Sequence, residues 1–286
     1  MRFVDIKFSE RNARPGGIIS GVVVIDATKA FECNRVILKI KGKEKTELGS
    51  GDTRITDEVV HVDGKMTLCE AMEIPCGRSE LPFRFKLEEG LPPTYSGNSG
   101  WIGYSVEAVV EMSWTLDPKM TRQFNVLPVH PEYIPEPDGY SPVNKDENKI
   151  HIELQSDILR INKGIPVRFM VEEHSRVNGV RLEVRRKESV KCGGSEDTHH
   201  DTLIRKFIPF SPEDFDRWQE EIIGEGWREV PFISKLIGTT YFLKAILETR
   251  WEFDPYVNIP VRISGEKQVE EDEDLFDAIS YDLGFG

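Results

Sequence analysis

The residue types best suited to chemistry are sparse and scattered in this sequence. His199, His200 and Asp201 cluster in "SEDTHHD" (195–201), all metal-ligating types. A zinc site needs four ligands converging on one point. Adjacent residues of a strand point to opposite faces, and no second His-x-His or Cys-x-x-Cys completes a set. The segment is polar and follows Gly193-Gly194, so it reads as a solvated hairpin loop; neither a metal nor any other cofactor is expected. A metal-dependent hydrolase using His199 and His200 is the enzymatic alternative. Cys33, Cys69, Cys76 and Cys192 are too few for a disulfide framework. Cys69 and Cys76 stand wider apart than redox or zinc spacings, and the four read as free core thiols in a reducing compartment. No glycine-rich phosphate loop opens a helix, no nucleophile elbow appears, and no acids pair at a spacing suited to proton transfer. The chain reads as non-enzymatic.

Two features suit binding, and a third only has the form of a binding motif. Lys39, Lys41, Lys43 and Lys45 alternate with Leu38 and Ile40, which puts four amines on one face of a strand and a local positive field on an acidic protein. Such a face would dock an acidic or phosphorylated segment, or serve only as a solvated or edge-protecting surface. Pro92-Pro93-Thr94-Tyr95 fits the Pro-Pro-x-Tyr pattern that WW domains bind. A WW ligand must be extended and accessible. This one lies between "LPFRFKL" and a long alternating strand, so Tyr95 reads as structural. Last, "VEEDEDLFDAISYDLGFG" interleaves acids with Leu275, Phe276, Ile279 and Tyr281. That pattern suits a linear motif that adds a strand or fills a groove while its acids meet a basic face, on a partner or by intramolecular docking on this chain.

Composition narrows the classes. A length of 286 residues suits one large domain or two ordinary ones, and 38% hydrophobic with 30% charged residues describes a soluble chain. No apolar run approaches the roughly 18–20 residues that span a bilayer, and "MRFVDIKFSERN" lacks the apolar core of a signal peptide. We expect a cytoplasmic protein, recruited to membranes peripherally and without direct insertion. The net charge of −13 opposes nucleic-acid binding. From Gly265 onward, eight acids stand against one base, Lys267, so this short segment carries seven of those thirteen charges.

Strand periodicity dominates the chain. In "YSVEAVVEMSW" (104–114), Tyr104, Val106, Ala108, Val110, Met112 and Trp114 share one face. "VILKIK" (36–41) and "VRLEVRRK" (180–187) alternate likewise. Only "SPEDFDRWQEEII" (211–223) reads as a helix, with Ser211 as N-cap, Pro212 at the first position, and Phe215, Trp218 and Ile222 at helical spacing. Repeats are present: 104–114 matches "YFLKAILETRW" (241–251), "VILKIKGKE" (36–44) matches "VRLEVRRKE" (180–188) including the closing Lys-Glu, and "GIISGVVV" (17–24) matches "GIPVRFMV" (164–171) more weakly. The offsets are 137, 144 and 147 residues in the same order, as duplication of one β-domain requires. The fold class is therefore all-β: two tandem immunoglobulin-like antiparallel sandwiches with one short helix in the second. The expected domains are 1–128 and 149–264, joined by a Pro-rich connection over 129–148 and followed by an acidic flexible tail over 265–286.

These residues resemble the arrestin-fold family, which includes arrestins, α-arrestins and a retromer subunit. The segment "LPFRFKLEEGLPPTYSGNSGWIGYSVEAVVE" (81–111) resembles the arrestin N-domain succession of Pro-Phe-x-Phe, Leu-Pro-Pro-Ser-Tyr/Phe, Gly and an aromatic-led strand. "RPGGIISGVVVID" (14–26) resembles the family's early Pro-Gly segment, with Gly17 where Glu is common. "INKGIPVRFMVEEHS" and "TTYFLKAILETRWEFDPYVNIPVRI" resemble C-domain strands, so the resemblance spans about residues 1–264. It implies a non-enzymatic adaptor or scaffold that binds cytoplasmic segments of membrane proteins and links them to a coat, trafficking or signalling partner. It also implies basic N-domain surfaces that meet phosphates. The alternative within the resemblance is a subunit held permanently in a retromer-type coat. The Pro-Pro-x-Tyr motifs of α-arrestins belong to their tails, and the tail here has none.

Overall fold

The computed structural model describes residues 2–113, 115–135, 143–147 (backbone only), 149–173, 177–249 and 254–267. The alternating segments form strands because burial of one face offsets the entropy of ordering an extended chain. The first half contains β1 (Arg2–Phe8), β2 (Asn12–Ala13), β3 (Ile18–Ala27), β4 (Phe31–Cys33), β5 (Arg35–Leu48) and β6 (Ile55–Cys69). It continues with β7 (Met72–Ile74), β8 (Gly77–Lys86), β9 (Tyr95–Ser96), β10 (Gly100–Glu111) and β11 (Lys119–Val126). A sheet of order β1-β3-β8 faces one of order β2-β11-β10-β5-β6, with β9 on β10 and a small β4-β7 pair beside them. Ile19, Val23 and Ile25 from the first sheet meet Leu38, Ile40, Val106 and Phe124 from the second in a single core.

The second half contains β12 (Val143–Glu147), β13 (Ile150–Leu154), β14 (Ile158–Arg160), β15 (Lys163–Val171) and β16 (Val177–Cys192). It closes with β17 (Ser195–Pro209), β18 (Gln219–Glu225), β19 (Ile237–Thr249) and β20 (Tyr256–Ser264). Its strands follow the order β12-β13-β15-β14-β20-β19-β16-β17, with β18 on β15. The two halves repeat one topology: β13-β15-β18 repeats β1-β3-β8, and β14-β20-β19-β16-β17 repeats β2-β11-β10-β5-β6. Even the short parallel pairings correspond, β2 with β11 and β14 with β20.

Four expectations change. The helix expected over 211–223 is absent. Its start forms a turn in which Ser211 donates from its hydroxyl (2.6 Å) and its N–H (2.7 Å) to the Asp214 carboxylate. The turn ends at Asp216, with φ 57°, and Gln219–Glu225 then forms β18 against β15. Tertiary pairing overrides the local cap signal, since β-branched Ile222 and Ile223 serve a strand better than a helix. The loop expected over 195–201 shrinks to a two-residue turn, Gly193-Gly194, with φ 59° and 79°. A hairpin turn of this kind needs positive φ at both residues, which glycine supplies freely. Residues from Ser195 onward belong to β17. Within the expected connection, β12 forms at Val143–Glu147 and pairs with β13. All four cysteines are free, with Cys33 and Cys192 buried but Cys76 exposed rather than in the core.

Candidate functional site

The four lysines lie along β5, which pairs with β10 on one side and β6 on the other, so they do not protect an edge. Lys39, Lys41, Lys43 and Lys45 alternate with buried Leu38, Ile40, Gly42, Glu44 and Thr46 and share the outer face. Lys39 reaches Glu107 at 3.3 Å and Lys43 reaches Glu58 at 2.5 Å. Such surface pairs are worth about 0–1 kcal/mol, so a competing anion exchanges for them at little cost. Lys41 and Lys45 make no ion pair among the described residues. Lys45 stands opposite Trp101, a residue 43% exposed. The motif residues Leu275, Phe276, Ile279 and Tyr281 lie outside the described residues.

Between Lys43 and Lys45, Glu44 faces the opposite way and is wholly buried. Its carboxylate is held by the other half of the molecule. Oε1 accepts from the N–H groups of Leu236 (3.0 Å) and Ile237 (2.8 Å), and Oε2 accepts from the Ser234 hydroxyl at 2.8 Å. His61 Nε2 lies 2.9 Å from the same Oε2 and donates, because an ionised carboxylate only accepts. A β-bulge opposite Gly42/Lys43 leaves His61 outside the ladder, freeing its ring to reach inward. Four bonds satisfy a charge that would otherwise be costly to bury.

Glu188 of β16 mirrors this arrangement. It too is wholly buried, and it accepts from the N–H groups of Asn98 (3.0 Å) and Ser99 (2.9 Å) and from the Tyr95 hydroxyl (2.6 Å). Each half thus lends a buried carboxylate to a tight turn of the other. The turns correspond: Gly97 N–H meets Gly100 O in one, and Ser234 N–H meets Ile237 O in the other. Around them Tyr95 and Phe232 pack with ring centroids 5.0 Å apart, and Val190 and Ile237 of the second half join the first half's core. Asp201 bridges to Arg186 at 2.9 Å and to the Asn98 amide at 3.1 Å. Burial alone would raise the Asp201 carboxyl, but the Arg186 and Asn98 hydrogen bonds hold it below the usual carboxylate range.

This geometry accounts for the Pro-Pro-x-Tyr stretch. Leu91 and Pro92 are buried, and the Pro92 carbonyl accepts from the Tyr104 hydroxyl at 2.7 Å. The Tyr95 hydroxyl is pushed far above its ordinary range by burial and then by Glu188. A WW domain could take Tyr95 only after the two halves had parted. His199 and Asp201 sit 3.5 Å apart, whereas His200 packs edge-on against Phe242 at 5.4 Å. The three do not converge. Among the described residues no group of three His, Cys, Asp or Glu side chains could hold a metal, and no helix is long and apolar enough to cross a membrane. Sequence reasoning did not single out Glu44 and Glu188, although the Lys-Glu closing both repeats, with an acid on an apolar face, was the available signal.

Comparison with known proteins agrees with this architecture. Residues 4–131 match the family described as arrestin (or S-antigen), N-terminal domain. Over 129 residues the chain is 24% identical to Arrestin domain-containing protein 17 of Caenorhabditis elegans, covering 39% of this chain and 30% of that protein. It is 26% identical over 129 residues to Arrestin domain-containing protein 4 of Mus musculus, covering 39% of this chain and 31% of the relative. The chain therefore spans under a third of the length of the curated relatives it matches. Residues 4–131 thus match an arrestin N-terminal domain, and the second sandwich of the same topology that follows them gives an architecture consistent with the arrestin fold.

Proposed function

We propose that this protein is a non-enzymatic arrestin-like adaptor, binding cytoplasmic segments of membrane proteins and linking them to a trafficking or signalling partner. The observation that carries this reading is the lysine row on β5. Four amines project from the middle of a sheet, two of them without a carboxylate partner among the described residues, beside exposed Trp101. An acidic or phosphorylated segment lying across β5 meets Lys41 and Lys45 directly and competes with Glu107 and Glu58 for Lys39 and Lys43. The acidic tail supplies the recruiting element in this reading.

Fluorescence anisotropy of a labelled acidic peptide and its phosphorylated form, titrated with the full chain, tests it. Salt-sensitive binding of the phosphorylated form that weakens about tenfold in Lys41→Glu/Lys45→Glu is expected, the unphosphorylated form serving as the comparison. Binding indifferent to both substitutions removes the reading. Affinity capture from detergent-solubilised cells, comparing the full chain with residues 1–264, then asks whether the tail recruits. Loss of a soluble partner with retention of membrane proteins is the expected pattern.

A further inference from the structure

The outer face of the second half carries a different concentration of cations. Odd-numbered residues of β16 point outward there and, with their neighbours on β17 and β19, place Arg181, Arg185, Lys187, Arg205 and Lys244 on one surface. Only Glu183 and Glu248 oppose them among these strands' described outward residues at that level, leaving three unmatched cations on a chain of net charge −13. Glu183 is buried and shared: Arg181 and Arg205 approach it at 3.0 and 3.1 Å, and Arg185 only at 3.9 Å. The buried Nε of Arg185 has no hydrogen-bond partner. Neither Lys187 nor Lys244 makes an ion pair among the described residues.

Aromatic rings interleave with these charges. The Arg185 guanidinium lies 5.8 Å from the Phe242 centroid, and the Lys244 ammonium lies 3.8 Å from that of Tyr256. Tyr256 is 49% exposed and Phe207 47%. Burial, then the Arg185 charge, depresses the Lys244 ammonium; burial, Arg185 and Lys187 depress the His200 imidazole. Burial is the larger cause in both; the neighbouring cations act in the same direction, and Glu183 opposes them at Lys244.

We propose that this face docks an extended acidic segment of a protein partner, with carboxylates over Arg185, Lys187 and Lys244 and an aromatic residue against Tyr256 or Phe207. Charge complementarity argues for the acidic partner, and exposed rings among the cations argue for the aromatic residue. The chain's own acidic end leaves from elsewhere. Gly265 N–H is tied to Glu132 O at 3.1 Å and Glu266 to Asn162 at 2.8 Å, on the β14 side of β20 and away from β17. This site is independent of the lysine row on β5.

The test is anisotropy of a labelled twelve-residue glutamate-rich peptide carrying one tryptophan, titrated with the full chain at low and high salt. The expected result is salt-sensitive binding, weakened about tenfold by Lys187→Glu/Lys244→Ala and within about twofold of wild type in Lys41→Glu/Lys45→Glu. Arg185→Ala should weaken it further; Lys187→Glu/Lys244→Ala is the primary variant because it leaves the Arg185–Glu183 contact in place. No binding, or binding lost only with the β5 lysines, overturns the proposal. Binding that rises several-fold when the chain ends at Lys267 overturns it in favour of the chain's own acidic end. Flotation with anionic vesicles, abolished by the same variants while the peptide does not bind, overturns it in favour of a membrane surface.

Discussion

The two carboxylate clamps at the junction perform one task with different residues. By the repeat offset, Tyr95 corresponds to Phe232 and Gly97 to Ser234. In the Glu188 clamp the hydroxyl donor is Tyr95, and Gly97 leaves the space open: a Cβ there would lie 1.8 Å from Glu188 Oε2. In the Glu44 clamp the ring position is Phe232, which has no hydroxyl, and Ser234 supplies it from two residues later. Each clamp also uses two adjacent backbone N–H groups of a turn. His61, placed by its bulge, has no such counterpart on Glu188. Duplication has preserved the requirement that a buried carboxylate be satisfied, while the donor that meets it has moved along the chain.

Substitutions at the carboxylates should break this comparison most severely. Glu188→Ala or Glu44→Ala leaves buried N–H groups unpaired, and we expect a loss of about 3–5 kcal/mol for each in urea unfolding. Next comes Gly97→Ser, which installs the Glu44-type donor while Tyr95 still occupies the Glu188-type position. Overpacking should cost about 1–3 kcal/mol, and adding Tyr95→Phe should recover about 1 kcal/mol of it through coupling between the two sites. Additive costs in that cycle would refute the equivalence of the donors. Alone, Tyr95→Phe and Ser234→Ala should each cost about 1 kcal/mol, at the scale of one hydrogen bond.

The smallest expected effect is in the pH dependence. The Asp201 carboxyl titrates lower in the folded than in the unfolded chain, because Arg186 and Asn98 outweigh burial. Its contribution is therefore present above the unfolded carboxylate range and is lost as pH falls through the depressed folded value. Asp201→Asn should reduce the acid sensitivity of the melting temperature and leave its neutral-to-alkaline dependence unchanged.

The difference between the clamps also explains what sequence revealed. Period-two alternation marks a half-buried strand directly, so β5, β10, β16 and β19 were legible, and with them the duplication and the outward face of Lys39 to Lys45. The second half's strand at Gln219–Glu225 was hidden behind a strong turn signal at Ser211–Asp214. Following the repeat would have exposed it, because β8, from Gly77 to Lys86, requires a counterpart on β15. Glu44 and Glu188 were visible only as charges out of place on apolar faces. Their partners are backbone groups about 190 and 90 residues away in the chain, which no residue pattern announces. The face around Arg185 was obscured similarly, since its cations come from three strands that only the sheet brings together.

Because each clamp holds a turn of the other half, the two sandwiches should unfold as one cooperative unit. Differential scanning calorimetry of the wild-type chain against Glu44→Ala/Glu188→Ala tests it most directly. One transition for the wild type, and two resolved transitions for the double variant with its strand content intact at room temperature, is the expected result. A double variant that still unfolds in one transition at the wild-type temperature would contradict the account.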